Sequence, residues 1–83
     1  MTVDLSQLEV EKTVDARGTA CPGPLLEAKR AMPGVPMGGV LEVLSSDKGT
    51  TEDIPLWSKK VGHEHLGEVE EAGYWRIFVR RGK

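Results

Sequence analysis

Apolar positions along the chain switch between alternation and helical spacing, and each switch marks out an element. In "VEKTVDA", from Val10, Val10 and Val14 share one face of a strand, and "RGTA" after it supplies a turn. From Pro22 the period lengthens: Leu25, Ala28 and Met32 fall on one helical face, while Glu27, Lys29 and Arg30 point elsewhere. "PGVPMGG" ends that helix. "VLEVLSS", from Val40, is rich in β-formers on both faces and predicts a strand covered on both sides.

"DKGTTEDIPLWSKKVGHE" reads as turn, cap and helix. Ile54, Trp57 and Val61 share a face, Lys59 and Lys60 face water, and Gly62 is the stop. Thr50 with Asp53 three residues on suggests a capping box, and Pro55 disfavours helical geometry at Ile54, so a kink or short first turn is expected there. "HLGEVEE", "AG" and "YWRIFVRR" predict a hairpin. Trp75, Ile77 and Val79 lie on one face of its last strand, Tyr74 and Phe78 on the other, and Glu68, Glu70 and Glu71 form a solvated face. The order β-α-β-α-β-β predicts an α+β fold: one sheet with both helices on one face. A parallel β-α-β unit at its start would bring the carboxyl ends of strands 1 and 2 to one edge, where ligands tend to bind.

Composition narrows the picture. The 83 residues fit one domain with a thin core, read as residues 10–83 behind a loose N-terminal arm of residues 1–9. Apolar residues at 39% and charged residues at 29% are a globular balance. A net charge of −2 and a pI near 5.6 argue against a general nucleic-acid or anionic-membrane binder, whose affinity comes from Lys and Arg on phosphates. The first residues carry Asp4 and Glu9 without a basic or apolar leader pattern, and no apolar run approaches membrane length. One cysteine cannot form an internal disulfide, so a reducing, cytoplasmic setting is expected.

That cysteine is the candidate chemistry. With Cys21 as N-cap, Pro22 takes the first helical position, where its missing N–H costs nothing, and Pro24 removes the N–H two residues later. The Gly23 N–H is then the expected partner of the sulfur. The helix dipole favours a thiolate at this end, and Arg17 and Lys48 are expected to add positive charge nearby. The bland reading is that free cysteine is commonly a buried residue and that proline at a helix start is ordinary punctuation.

"DARGTACPGPLLEAK" resembles the C-P-x-P signature of the TusA/SirA-like sulfur-carrier proteins, and the likeness continues through "LEVLSSD", "TTEDIPLW" and "GHEH" into the closing hairpin. It covers roughly residues 10 to 81. The resemblance implies a two-layer α/β sandwich with a four-stranded mixed sheet, and a persulfide carried on Cys21, flanked by Pro22, Gly23 and Pro24. It implies a sulfurtransferase working as a relay. Its donor is a cysteine desulfurase or rhodanese-like protein, and its acceptor a thiol protein such as a DsrE-like one. The destinations are tRNA thiolation, cofactor maturation or sulfur oxidation. No cofactor, metal, membrane or direct nucleic-acid contact is implied, and a monomer is expected. Two positions depart from the pattern: Gly23, where a larger or acidic residue is frequent, and Lys48, which follows Asp47 where proline is common.

Other residues carry blander readings. His63 and His65 lack the spacing of a zinc pattern, Asp15 and Asp47 fit side-chain-to-backbone bonds at strand ends and turns, and Trp57 and Trp75 fit the core. The alternative functions are an RNA- or protein-binding regulatory module with a structural cysteine, which the acidic balance weakens, and a thiol redox sensor.

Overall fold

A computed structural model describes residues 9–20 and 23–83 of the chain. Residues 1–8 of the expected arm, Cys21 and Pro22 lie outside the described residues, and so does the N-cap reading of Cys21. The elements are β1 (Lys12–Asp15), α1 (Gly23–Ala31), a 3-10 turn (Met32–Gly34), β2 (Val40–Ser45), α2 (Thr50–Val61), β3 (Glu64–Glu71) and β4 (Tyr74–Arg80). They form an α+β fold in which a four-stranded mixed sheet, ordered β1-β2-β4-β3, carries two helices. β1 runs parallel to β2, with Val14 opposite Val43; the β2–β4 and β3–β4 pairs are antiparallel.

The core lies between the helices and one face of the sheet. Leu41 and Val43 of β2, Ile77 and Val79 of β4, Ala28 and Ala31 of α1 and Ile54 of α2 form one cluster with Met32 and Val35, and Val14, Leu25, Trp57 and Trp75 pack against it. Fully burying a side chain such as Leu41 or Ile54 contributes about 1.5–3 kcal/mol, so the helices are held mainly by this shared face. The 3.6-residue pattern of α1 is thus realised, with Pro24 and Ala31 also buried.

β2 is covered on both faces, as its composition suggested. Val40 and Glu42 point away from the core cluster yet are only 5% and 8% exposed. Glu42 tolerates this because both of its oxygens are used: Oε1 accepts from the Thr13 hydroxyl at 3.0 Å, and Oε2 from Arg76 Nε at 2.6 Å. The Arg76 guanidinium also lies 5.3 Å from the centre of the Phe78 ring, a cation–π distance.

Two local expectations are corrected. The Thr50–Asp53 capping box does not form: Gly49 is the N-cap of α2, no side chain caps it, and Thr50 is the first helical residue, fully buried. Its hydroxyl lies 2.8 Å from Ser45 Oγ, so the demand for a buried partner prevails over capping. Pro55 lies inside α2, which runs 12 residues through it. The missing N–H falls opposite a single carbonyl, that of Thr51, while burial of Ile54 at 0% exposure holds helical geometry. Finally, Glu68, Glu70 and Glu71 do not share a face, because Glu68 and Glu70 lie opposite Ile77 and Trp75 while Glu71 lies opposite Tyr74 and reaches Arg76 at 3.6 Å.

Gly62 ends α2 as expected, in the left-handed conformation at φ 91°, and Val61 before it is exposed rather than packed. The hairpin turns on Ala72 and Gly73, with Glu71 paired to Tyr74. Among the described residues, no helix is long and apolar enough to cross a membrane.

Candidate functional site

The parallel pairing of β1 and β2 delivers their carboxyl ends side by side. Ala16 N–H donates to the Leu44 carbonyl at 2.8 Å, one step beyond the last register pair, Asp15 with Leu44. From there β1 leads into Arg17–Ala20 and on to Cys21, and β2 leads into Ser46–Gly49 and on to α2. Between the two loops lies an open cleft of about 360 Å³ lined by Gly18, Thr19, Ala20, Ser46, Asp47 and Lys48. The segment carrying the lone cysteine therefore borders a cleft at the sheet edge.

Each loop is organised by short polar side chains. In the second, Asp47 Oδ1 accepts from Gly49 N–H at 2.8 Å, Ser45 Oγ accepts from Asp47 N–H at 3.1 Å, and the Asp47 and Lys48 carbonyls accept from Thr50 and Thr51 N–H. The first loop is crossed by Gly18 N–H, which donates to Ser46 Oγ at 2.8 Å. Gly18 has φ 81°, a backbone geometry that side chains other than glycine's rarely adopt.

Asp15 meets the expectation of a side-chain-to-backbone bond, accepting from Arg17 N–H at 3.1 Å, and goes further. Its two oxygens also take Arg17 Nε at 2.9 Å and Nη2 at 2.8 Å, and this guanidinium holds the carboxyl down to about 2. Arg17 is raised in return, and its guanidinium carbon lies 4.9 Å from the Tyr74 ring centre. What Arg17 presents to the cysteine loop is thus the field of an ion pair, weaker than that of a free cation. Lys48, exposed on the cleft, is the cation left facing it.

The helix start departs from one expectation. The Gly23 N–H, assigned from sequence to the sulfur, donates to the Ala20 carbonyl at 2.8 Å. A Cβ on Gly23 would overlap the methyl group of Thr19, so the glycine at the third position of C-P-G-P and the threonine two residues before the cysteine fill each other's space. Pro24 is buried beneath.

His63 and His65 do not approach this cleft in any recorded contact. His63 Nδ1 accepts from Gly82 N–H at 3.0 Å, and its ring meets Trp57 edge-on at 5.2 Å between centroids. Burial, then the nearby Arg81, hold its pKa below the ordinary 6.5. Sequence reasoning missed the roles of Ser45 and Ser46. The signal was present in the Ser-Ser-Asp run that closes β2, a composition typical of side-chain-bonded turns.

With this geometry in view, comparison with known proteins is informative. Residues 12–81 match the family described as Sulfurtransferase TusA. A putative sulfur carrier protein of Archaeoglobus fulgidus is 51% identical over 70 residues, covering 84% of this chain and 96% of the relative. Sulfur carrier protein TusA of Pseudomonas entomophila is 36% identical over 77 residues, covering 93% and 96%. The crystal structure of a SirA-like protein from Desulfitobacterium hafniense superposes with a TM-score of 0.74 at 23% identity, over 87% of this chain and 99% of that one, and so shares the fold.

Proposed function

Because the chain belongs to the sulfurtransferase TusA family, we propose that it is a sulfur carrier that holds sulfane sulfur as a persulfide on Cys21 and relays it between proteins. The observation that supports this most is the position of the cysteine segment: it leaves β1 at the sheet edge, beside an open cleft on which Lys48 faces solvent.

The chemistry needs one nucleophile. A Cys21 thiolate attacks the outer sulfur of a donor persulfide; a new S–S bond forms on Cys21, the donor S–S bond breaks, and the electron pair leaves with the donor thiolate. In the second half an acceptor thiolate attacks the terminal sulfur, and Cys21 departs as the thiolate it began as. No net oxidation occurs. With a single cysteine in the chain, release cannot proceed through an internal disulfide, so an external thiol must collect the cargo.

Pro22 and Pro24 fix φ on either side of Gly23 next to the sulfur, and Lys48 supplies a positive field for the anionic persulfide. The donor is a desulfurase- or rhodanese-like protein and the acceptor a thiol protein. An open cleft admits such a partner's loop more readily than it would enclose a small molecule. The test is transfer itself. Protein charged with radiolabelled sulfane sulfur should pass the label to an acceptor thiol protein, and the charged species should be discharged by reductant. A chain that takes no label from any sulfane donor would refute the carrier role.

A further inference from the structure

We infer that Ser46 is a positioning residue for sulfur transfer: its hydroxyl oxygen is the latch that holds the Cys21-bearing loop against the β2–α2 turn. This rests on the carrier reading and names what keeps its site in register.

Hydrogen bonding around the loop supports the inference. After Ala16, whose N–H still belongs to the β1–β2 ladder, the recorded backbone bonds of the segment are internal: Thr19 N–H to the Ala16 carbonyl at 3.2 Å and Gly23 N–H to the Ala20 carbonyl at 2.8 Å. The bond that crosses to the opposite loop, among the described residues, is Gly18 N–H to Ser46 Oγ at 2.8 Å. Residues 17–20 are all exposed, so packing does not immobilise them. Gly18 sits at φ 81°, three residues before Cys21, at the bend where the chain turns from β1 toward α1.

The other half of the latch is rigid. Ser45, next to Ser46, is fully buried and bonded to Thr50 Oγ1 at 2.8 Å, and Asp47 Oδ1 caps Gly49 N–H. The Ser46 hydroxyl thus stands on a turn anchored to both β2 and α2 and holds the loop at Gly18, just beyond Arg17, whose side chain is tied back to Asp15 and Tyr74. Gly18 and Ser46 both line the cleft that Lys48 borders, so the same bond sets the width of the opening a partner enters and the separation of the two loops. Loss of one such bond is expected to slow the transfer step by roughly three- to tenfold, the range that the net worth of a single hydrogen bond allows.

Wild type, Ser46→Ala and Ser46→Thr are compared in three readouts: amide exchange at Gly18, the rate of sulfur uptake from thiosulfate with rhodanese, and the thermal midpoint. The expected result is that Ser46→Ala exposes the Gly18 amide to exchange and slows uptake, with its midpoint close to wild type. Ser46→Thr, which keeps an acceptor oxygen, should restore both. Uptake at the wild-type rate in Ser46→Ala, or equal slowing in Ser46→Thr, overturns the inference while leaving the carrier role standing. Wild-type protein that takes up no sulfur overturns the carrier role itself. A fall in midpoint that protection at Gly18 and at core amides follow equally makes Ser46 a general stability residue and also overturns the inference.

Discussion

At the residue scale, charge near the sulfur is decided by pairing. Arg17 and Lys48 are equally cationic in sequence, yet Arg17 closes a two-pronged ion pair on Asp15 while Lys48 borders the cleft and is exposed. Lys48 should therefore carry most of the attraction for a negatively charged donor. Lys48→Glu is expected to slow sulfur uptake several-fold at low salt, with the difference shrinking as ionic strength rises and screening takes over. Stopped-flow uptake at several salt concentrations measures this, and an unchanged rate contradicts it. The Asp15–Arg17 pair was not legible beforehand, since a spacing of two residues in a loop does not say whether the side chains turn together. The Asx-type role of Asp47 was legible, because a short acid next to glycine in a turn has few other uses.

At the element scale, the features most readable from sequence were those fixed by backbone chemistry. Gly62 ends α2 because only glycine takes φ 91° cheaply, and its N–H and that of His63 both return to the Ser58 carbonyl. Gly62→Ala should destabilise the fold by about 1 kcal/mol, lowering the thermal midpoint by roughly 4–8 °C for a domain of this size. An added Cβ would also press on the Lys83 side chain at 3.0 Å. Calorimetry decides it, and an unchanged midpoint contradicts the assignment of Gly62 as the stop. The cap was misread because burial won over the local pattern. Thr50 looked like a cap and serves as a buried partner of Ser45, five residues earlier. The partner is close in sequence, but local pattern does not show that Thr50 is fully buried.

At the scale of the whole molecule, the cleft lined by Gly18, Ser46 and Lys48 and the contact of His63 with Gly82 involve different residues, and the second has its own pH dependence. His63 holds the Gly82 N–H through Nδ1, a role open only to an unprotonated nitrogen, and burial with Arg81 lowers its pKa. The folded state therefore favours the neutral ring. The stability this contributes is full above the ordinary value near 6.5 and is lost as pH falls through the lower folded value. Denaturant midpoints should drop between pH 7.5 and 5.5 in wild type and drop less in His63→Gln; equal slopes would show that His63 is not responsible.

The order of elements and the helix-covered core were readable from periodicity, because burial on one face imposes it, whereas the four-stranded mixed sheet was implied by the resemblance. The cleft was anticipated only as an edge where two strands end, since its walls are made by hydroxyls and amides that carry no periodic signal. The central claim concerns the one thiol the chain possesses, and intact mass addresses it most directly. After incubation with a sulfane donor and removal of excess, wild-type protein is predicted to gain the mass of one sulfur atom. Reductant should reverse the gain, and Cys21→Ala should not show it. An equal gain in Cys21→Ala, or none in wild type, would contradict the account.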